Sequence, residues 1–169
     1  MATIPLNILG AITLPDTSGS VYWEPQAVNA QANDFYPGGC FVFADTSTRI
    51  KLGIGFRIPE NWISTSLIKL YWYTTVTTGK VVWECDYRSI AAGESMDPST
   101  DQRNVTSTGT IVNGTARFLS VETMTLTDAD LAVGDWFEGV IVRDGADTTN
   151  DTAAASTYLV GAFFIYNDV

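Results

Sequence analysis

Apolar side chains recur at every second position through much of this chain. In residues 51–58, Leu52, Ile54, Phe56 and Ile58 alternate with Lys51, Gly53, Gly55 and Arg57. That period belongs to a strand with one face buried. Residues 66–76, SLIKLYWYTTV, are rich in the aromatic and β-branched residues that strands favour. The turn TTGK and then VVWECDYRSI follow, so residues 67–88 are expected to form a hairpin. A second hairpin is expected at Asn113-Gly114, between NVTSTGTIV and TARFLSVETMTL. GSVYWEP, GCFVFAD and DWFEGVIVRD read as further strands, and TYLVGAFFIYNDV as a last one. The last is apolar on both faces, so it is expected to be central or buried between subunits. Helix signal is confined to one turn within residues 127–135, ending at Gly134. Residues 89–102 and 144–156 read as loops.

This pattern predicts an all-β fold: an antiparallel β-sandwich, jelly-roll-like, with eight or nine short strands. A length of 169 residues suits one domain with its own core. The domain is expected over residues 21–169. Residues 1–20, broken by Pro5, Gly10 and Pro15, read as an extended N-terminal arm. The arm's apolar residues, Ile4, Leu6, Ile8, Leu9, Ile12 and Leu14, are expected to lie on a neighbouring subunit or partner.

Charge narrows the function. The net charge is −10 with a pI near 4.1. Nucleic-acid backbones and anionic membranes both call for clustered cations, so neither is an expected partner. No Lys or Arg precedes Arg49, so no secretion signal is expected. Cys40 and Cys85 are then expected to be buried free thiols, although one disulfide stays open from sequence.

The chain contains no histidine, which removes Ser–His and Cys–His nucleophile pairs. Glu84 and Asp86 share one strand face, and their spacing of about 6–7 Å invites comparison with a glycosidase pair. The same alternation marks any half-exposed strand, and Arg88 on that face is expected to neutralise them. A Ca²⁺ site is weakly indicated at Asp144, Asp147, Asn150 and Asp151, because hard cations take such oxygens. Asp and Asn also populate loops for turn reasons alone. Otherwise no cofactor is expected.

Five tryptophans are many for this length. Trp62, in the turn IPENWIST, is the first suspect for an exposed ligand surface. Trp72, Trp83 and Trp136 lie on strands and read as core. The Asn-x-Thr sequences at Asn104, Asn113 and Asn150 read as chance in a Thr-rich chain.

Several motifs together carry a resemblance. They are Pro59 to Trp62, Tyr71-Trp72, Gly79 to Tyr87, Ala92 to Glu94, Leu131 to Asp135, Arg143 to Asp147, and Tyr158 to Tyr166. Over residues 35–169 the chain resembles small β-rich virion proteins of tailed bacteriophages. The resemblance implies a non-enzymatic, jelly-roll structural protein, a homotrimer, assembled in the host cytoplasm and located in the virion. A capsid decoration (cement-like) role against the major capsid protein is the leading expectation. The alternative is a carbohydrate-binding module, or a tail or fibre tip that binds a host surface glycan.

Overall fold

A computed structural model of the chain describes residues 1–6, 21–24, 39–96 and 103–169. Among these residues the strands are β1 (Ala2–Pro5), β2 (Tyr22–Glu24), β3 (Cys40–Phe43), β4 (Arg49–Arg57), β5 (Trp62–Thr74) and β6 (Lys80–Val81). They continue with β7 (Trp83–Ile90), β8 (Arg103–Thr106), β9 (Thr110–Ile111), β10 (Ser120–Thr125), β11 (Trp136–Asp144) and β12 (Thr157–Asp168). A single 3-10 turn spans Asp128–Asp130. The fold is all-β and antiparallel, as the alternation predicts.

Two main sheets face each other. The six-stranded sheet runs β10-β5-β12-β3-β2, with β1 beside the far half of β12. The four-stranded sheet runs β4-β11-β7-β8. Strands β6 and β9 form a small third pair. Inward positions fill the space between the sheets. Trp72 on β5 meets Trp83 on β7 edge-on, with ring centroids 5.9 Å apart. Phe43 packs edge-on against Trp83 at 5.1 Å. Phe56 stacks on Phe137 at 4.7 Å and packs against Phe164 at 4.8 Å. Such pairs add specific ring geometry to the burial of apolar area.

Strand β12 is central, between β5 on one side and β3 and β1 on the other. A register shift between Leu159 and Gly161 explains why it is apolar at both parities. Thr157 and Leu159 point inward before the bulge, and Ala162, Phe164 and Tyr166 after it. An inserted residue reverses which parity faces the core.

Three expectations are corrected. Residues 67–88 are not a hairpin: β5 and β7 lie in opposite sheets, because Trp72 and Trp83 both point into the core and face each other. Asn113-Gly114 does not join a hairpin either, since β9 pairs with β6 and β10 pairs with β5. The start of the arm is part of the sandwich. Residues 2–5 pair with Phe163–Tyr166, Leu6 donates its N–H to Ala162, and the Leu6 side chain is only 5% exposed. Ile4 packs on the same core. These two residues are therefore used within the chain rather than on a neighbour. Ile8, Leu9, Ile12 and Leu14 lie outside the described residues.

Candidate functional site

The outer face of the four-stranded sheet carries the carboxylate pair singled out above. Glu84 and Asp86 sit on it as alternation requires. Arg49, across the sheet on β4, reaches both: Nη2 contacts Glu84 Oε2 directly and lies 3.4 Å from Asp86 Oδ2. Asn104 donates to Asp86 at 2.7 Å, and Thr106 Oγ1 lies 3.3 Å from Glu84 Oε1. The pair is thus neutralised by Arg49, not by Arg88, and its oxygens are spent within the sheet. Glu84 is 7% exposed, which leaves little room for a substrate or an attacking water. Arg88 instead gives Nε and Nη2 to Glu138 Oε2 at 2.8 and 2.7 Å, and Nη2 also reaches the Met96 carbonyl.

The acidic loop after β11 is organised by its own bonds. Asp147 Oδ1 accepts the backbone N–H groups of Thr149 and Asn150, and Oδ2 accepts Asn150 Nδ2 at 2.8 Å. The Asn150 side-chain bond, with those N–H groups, holds the Asp147 carboxyl below the usual range. Asp144 accepts from Ala146, a similar local turn. Asp151 turns inward to Arg143, at 2.8 and 3.1 Å, and also accepts the Val82 N–H. Asp144, Asp147 and Asp151 therefore each serve a different local partner. Among the described residues no group of three or more acidic, His or Cys side chains is arranged to hold a metal ion.

The cysteines are both buried and free. Burial first, then the charge of Asp86, pushes the Cys85 thiol well above its usual range. A thiol kept protonated in this way is a poor nucleophile.

The tryptophans divide differently from the expectation. Trp62 is half-buried against the core, and its Nε1 donates to Ser66 Oγ at 3.0 Å. Trp72 and Trp83 are fully buried. Trp136, expected in the core, is 45% exposed on the outer face of the four-stranded sheet. It opens β11 one residue out of phase with buried Phe137, so its side chain leaves the sandwich. Opposite it, at Gly55, a β-carbon would come within 2.8 Å of Trp136 Cζ2 and 3.3 Å of Nε1. The missing side chain at Gly55 is what lets the indole lie across β4.

Polar groups flank that indole. Arg57, the direct partner of Trp136 on β4 as Ile90 is on β7, donates Nε to the Gly134 carbonyl at 3.0 Å and pairs with Glu60 through Nη2. Glu138, two residues along β11 on the same face, holds Arg88. Among the described residues, Arg57 Nη1 and Glu138 Oε1 make no hydrogen bond. The result is an aromatic platform flanked by the Arg57 guanidinium and the Glu138 carboxylate. Beyond the strand end lies a shallow recess of about 280 Å³, lined by Ser89, Glu94, Arg103, Asp130 and Leu131 among others. Arg103 and Asp130 are paired there at 3.0 Å, and Ser89 donates to Asp135.

No protein-family model matches the chain, and no curated protein matches it. Solved structures of similar fold include the C-terminal CBM6 of LamC from Zobellia galactanivorans. It is 10% identical, with 96% of this chain and 98% of that one covered, at a TM-score of 0.48. The xylan-binding module CBM15 is 10% identical over 99% and 97% of the two chains, with a TM-score of 0.46. TmCBM61, solved in complex with β-1,4-galactotriose, is 10% identical over 87% and 82%, with a TM-score of 0.42. These likenesses concern the fold. The expectation of a capsid decoration protein is corrected here. The similar folds named are carbohydrate-binding modules, a likeness of fold alone; what counts against the cement role in this chain is that Ile4 and Leu6 of the arm it relied on belong to its own sandwich.

Proposed function

We propose that this chain is a non-catalytic, glycan-binding β-sandwich whose ligand stacks on Trp136. The observation that carries the proposal is the indole laid across Gly55, 45% exposed, between Arg57 and Glu138. The C–H face of a pyranose ring is apolar and fits a flat aromatic surface, while its hydroxyls need donors and acceptors at the rim. The carboxylate pair at Glu84 and Asp86 supports no hydrolytic reading, because Arg49 occupies it.

Isothermal titration calorimetry against a glycan panel tests this. Xylan fragments and β-1,4-galactotriose are the first ligands to try, since similar folds are named for them. Trp136→Ala is expected to weaken binding by about 2 kcal/mol, roughly thirtyfold. Trp62→Ala serves as the comparison, with its half-buried ring expected to affect stability first. No binding to any glycan, or unchanged binding in Trp136→Ala, overturns the proposal.

A further inference from the structure

The charges around Trp136 bear on what kind of glycan fits. We infer that the ligand is an uncharged glycan, and that sugars carrying carboxylate or sulfate groups are excluded; this rests on the glycan-binding reading above. Each arginine near the platform already has a carboxylate partner. Arg57 is paired with Glu60, and Arg88 with Glu138. In the neighbouring recess Arg103 is paired with Asp130.

Beside the indole, two guanidinium groups are each matched by one carboxylate, Glu60 for Arg57 and Glu138 for Arg88, so no cation is in excess. The only described lysine on this sheet face, Lys51, lies six residues from Arg57 along β4, roughly 20 Å away by strand rise. That distance exceeds the screening length at physiological salt, about 8 Å. The whole chain adds a net charge of −10. A uronate or sulfate at the platform would therefore lose hydration and gain no unpaired cation.

Neutral hydroxyls meet the opposite situation. Arg57 Nη1 offers a donor and Glu138 Oε1 an acceptor, and both groups are held in place by their ion-pair partners. A hydroxyl donates and accepts at once, so it uses both without disturbing either pair. Recognition then depends on hydrogen bonds and ring stacking, neither of which salt screens strongly.

The test is calorimetry on the full chain with two matched sets: neutral oligosaccharides (xylo-, cello- and β-1,4-galacto-) and uronate oligomers. Each set is titrated at low salt and at tenfold higher salt. Neutral binders are expected, with affinity changing less than about twofold between the two salts. Uronate oligomers are expected to show no measurable heat. Glu60→Gln, which removes an exposed counter-charge from Arg57, is expected to bring in weak, salt-sensitive uronate binding. Tight uronate binding by the unaltered chain, falling severalfold with salt, overturns this inference and leaves the glycan reading standing. Silence in both sets, in the unaltered chain and in Glu60→Gln alike, overturns both.

Discussion

Arg143 occupies an inward position on β11, where alternation calls for an apolar side chain, and it is 1% exposed. Its guanidinium is bonded to Asp151 in two places, to the carbonyls of Ala153 and Ala155, and to Asp45 at 3.3 Å. The cation closes one end of the core and fastens residues 151–155 over it. A buried pair of this kind adds little over an apolar replacement, but leaving one partner alone is costly. Asp151→Ala is accordingly expected to lower unfolding stability by about 3–5 kcal/mol in urea titrations. Asp45 is about half exposed, and Asp45→Ala is expected to cost under about 1 kcal/mol. Equal effects would show that Arg143 is not held as described. Glu122 is the converse case. It is half-buried on the edge strand β10, and that burial raises its carboxyl pKa, only partly offset by the Thr123 N–H. A raised acid means that the folded state holds its proton longer than the unfolded chain does. Stability therefore falls as pH rises through the window between the two pKa values, and the penalty persists above it. Glu122→Gln is expected to be more stable than the unaltered chain at neutral pH. The difference should vanish in melts performed below the ordinary carboxylate range.

At the scale of elements, β12 decides the architecture. Its bulge after Leu159 lets one strand feed the core with residues of both parities, and β5, β3 and β1 all pair with it. Alternation in the sequence made the strands visible, since β4, β5, β7 and β11 each carry a regular inward face. It could not reveal which strands pair. The turn at Gly79 fits a hairpin locally, yet Trp72 and Trp83 gain more by facing each other across the sandwich than by lying in one sheet. The first residues are ambiguous for a related reason. Ile4 and Leu6 are apolar and flanked by breakers, so they suit an arm as well as a short strand. Only the exposed backbone of β12 beyond β3 shows where they go. Asp168 adds an end tie, its carboxyl 3.1 Å from the Met1 amino group. That bond first, with a backbone N–H, holds its pKa below the usual value, so the tie is present at neutral pH and is lost as pH falls through the lowered pKa. Since Leu6 is buried in the core, Leu6→Ala is expected to destabilise the fold by about 2–4 kcal/mol. A value near zero in a urea titration would return residues 1–6 to the role of a free arm.

For the molecule as a whole, stability and binding report through different tryptophans. Trp72 and Trp83 are sealed between the sheets, Trp136 is outside, and nothing in a strand-by-strand reading separates them. DWFEGVIVRD places apolar residues at both parities, with Phe137 and Ile141 inward and Val140 and Val142 outward, so its phase is ambiguous. The platform also needs Gly55, some eighty residues earlier, and Glu60 and Arg88 from two further segments. Register alone brings them together. This division makes the site separable from the fold. Trp136 contributes little to the core, so Trp136→Ala should unfold in one cooperative transition at nearly the midpoint of the unaltered chain. A ligand that binds only the folded state stabilises it by mass action, about 2.7 kcal/mol at one hundred times its Kd. A neutral oligosaccharide at that concentration is therefore expected to raise the urea midpoint of the unaltered chain. At the same concentration it should leave the midpoint of Trp136→Ala nearly unmoved. A variant that gains the same shift as the unaltered chain would place the ligand elsewhere on the sandwich, because its binding energy would then not depend on the exposed indole.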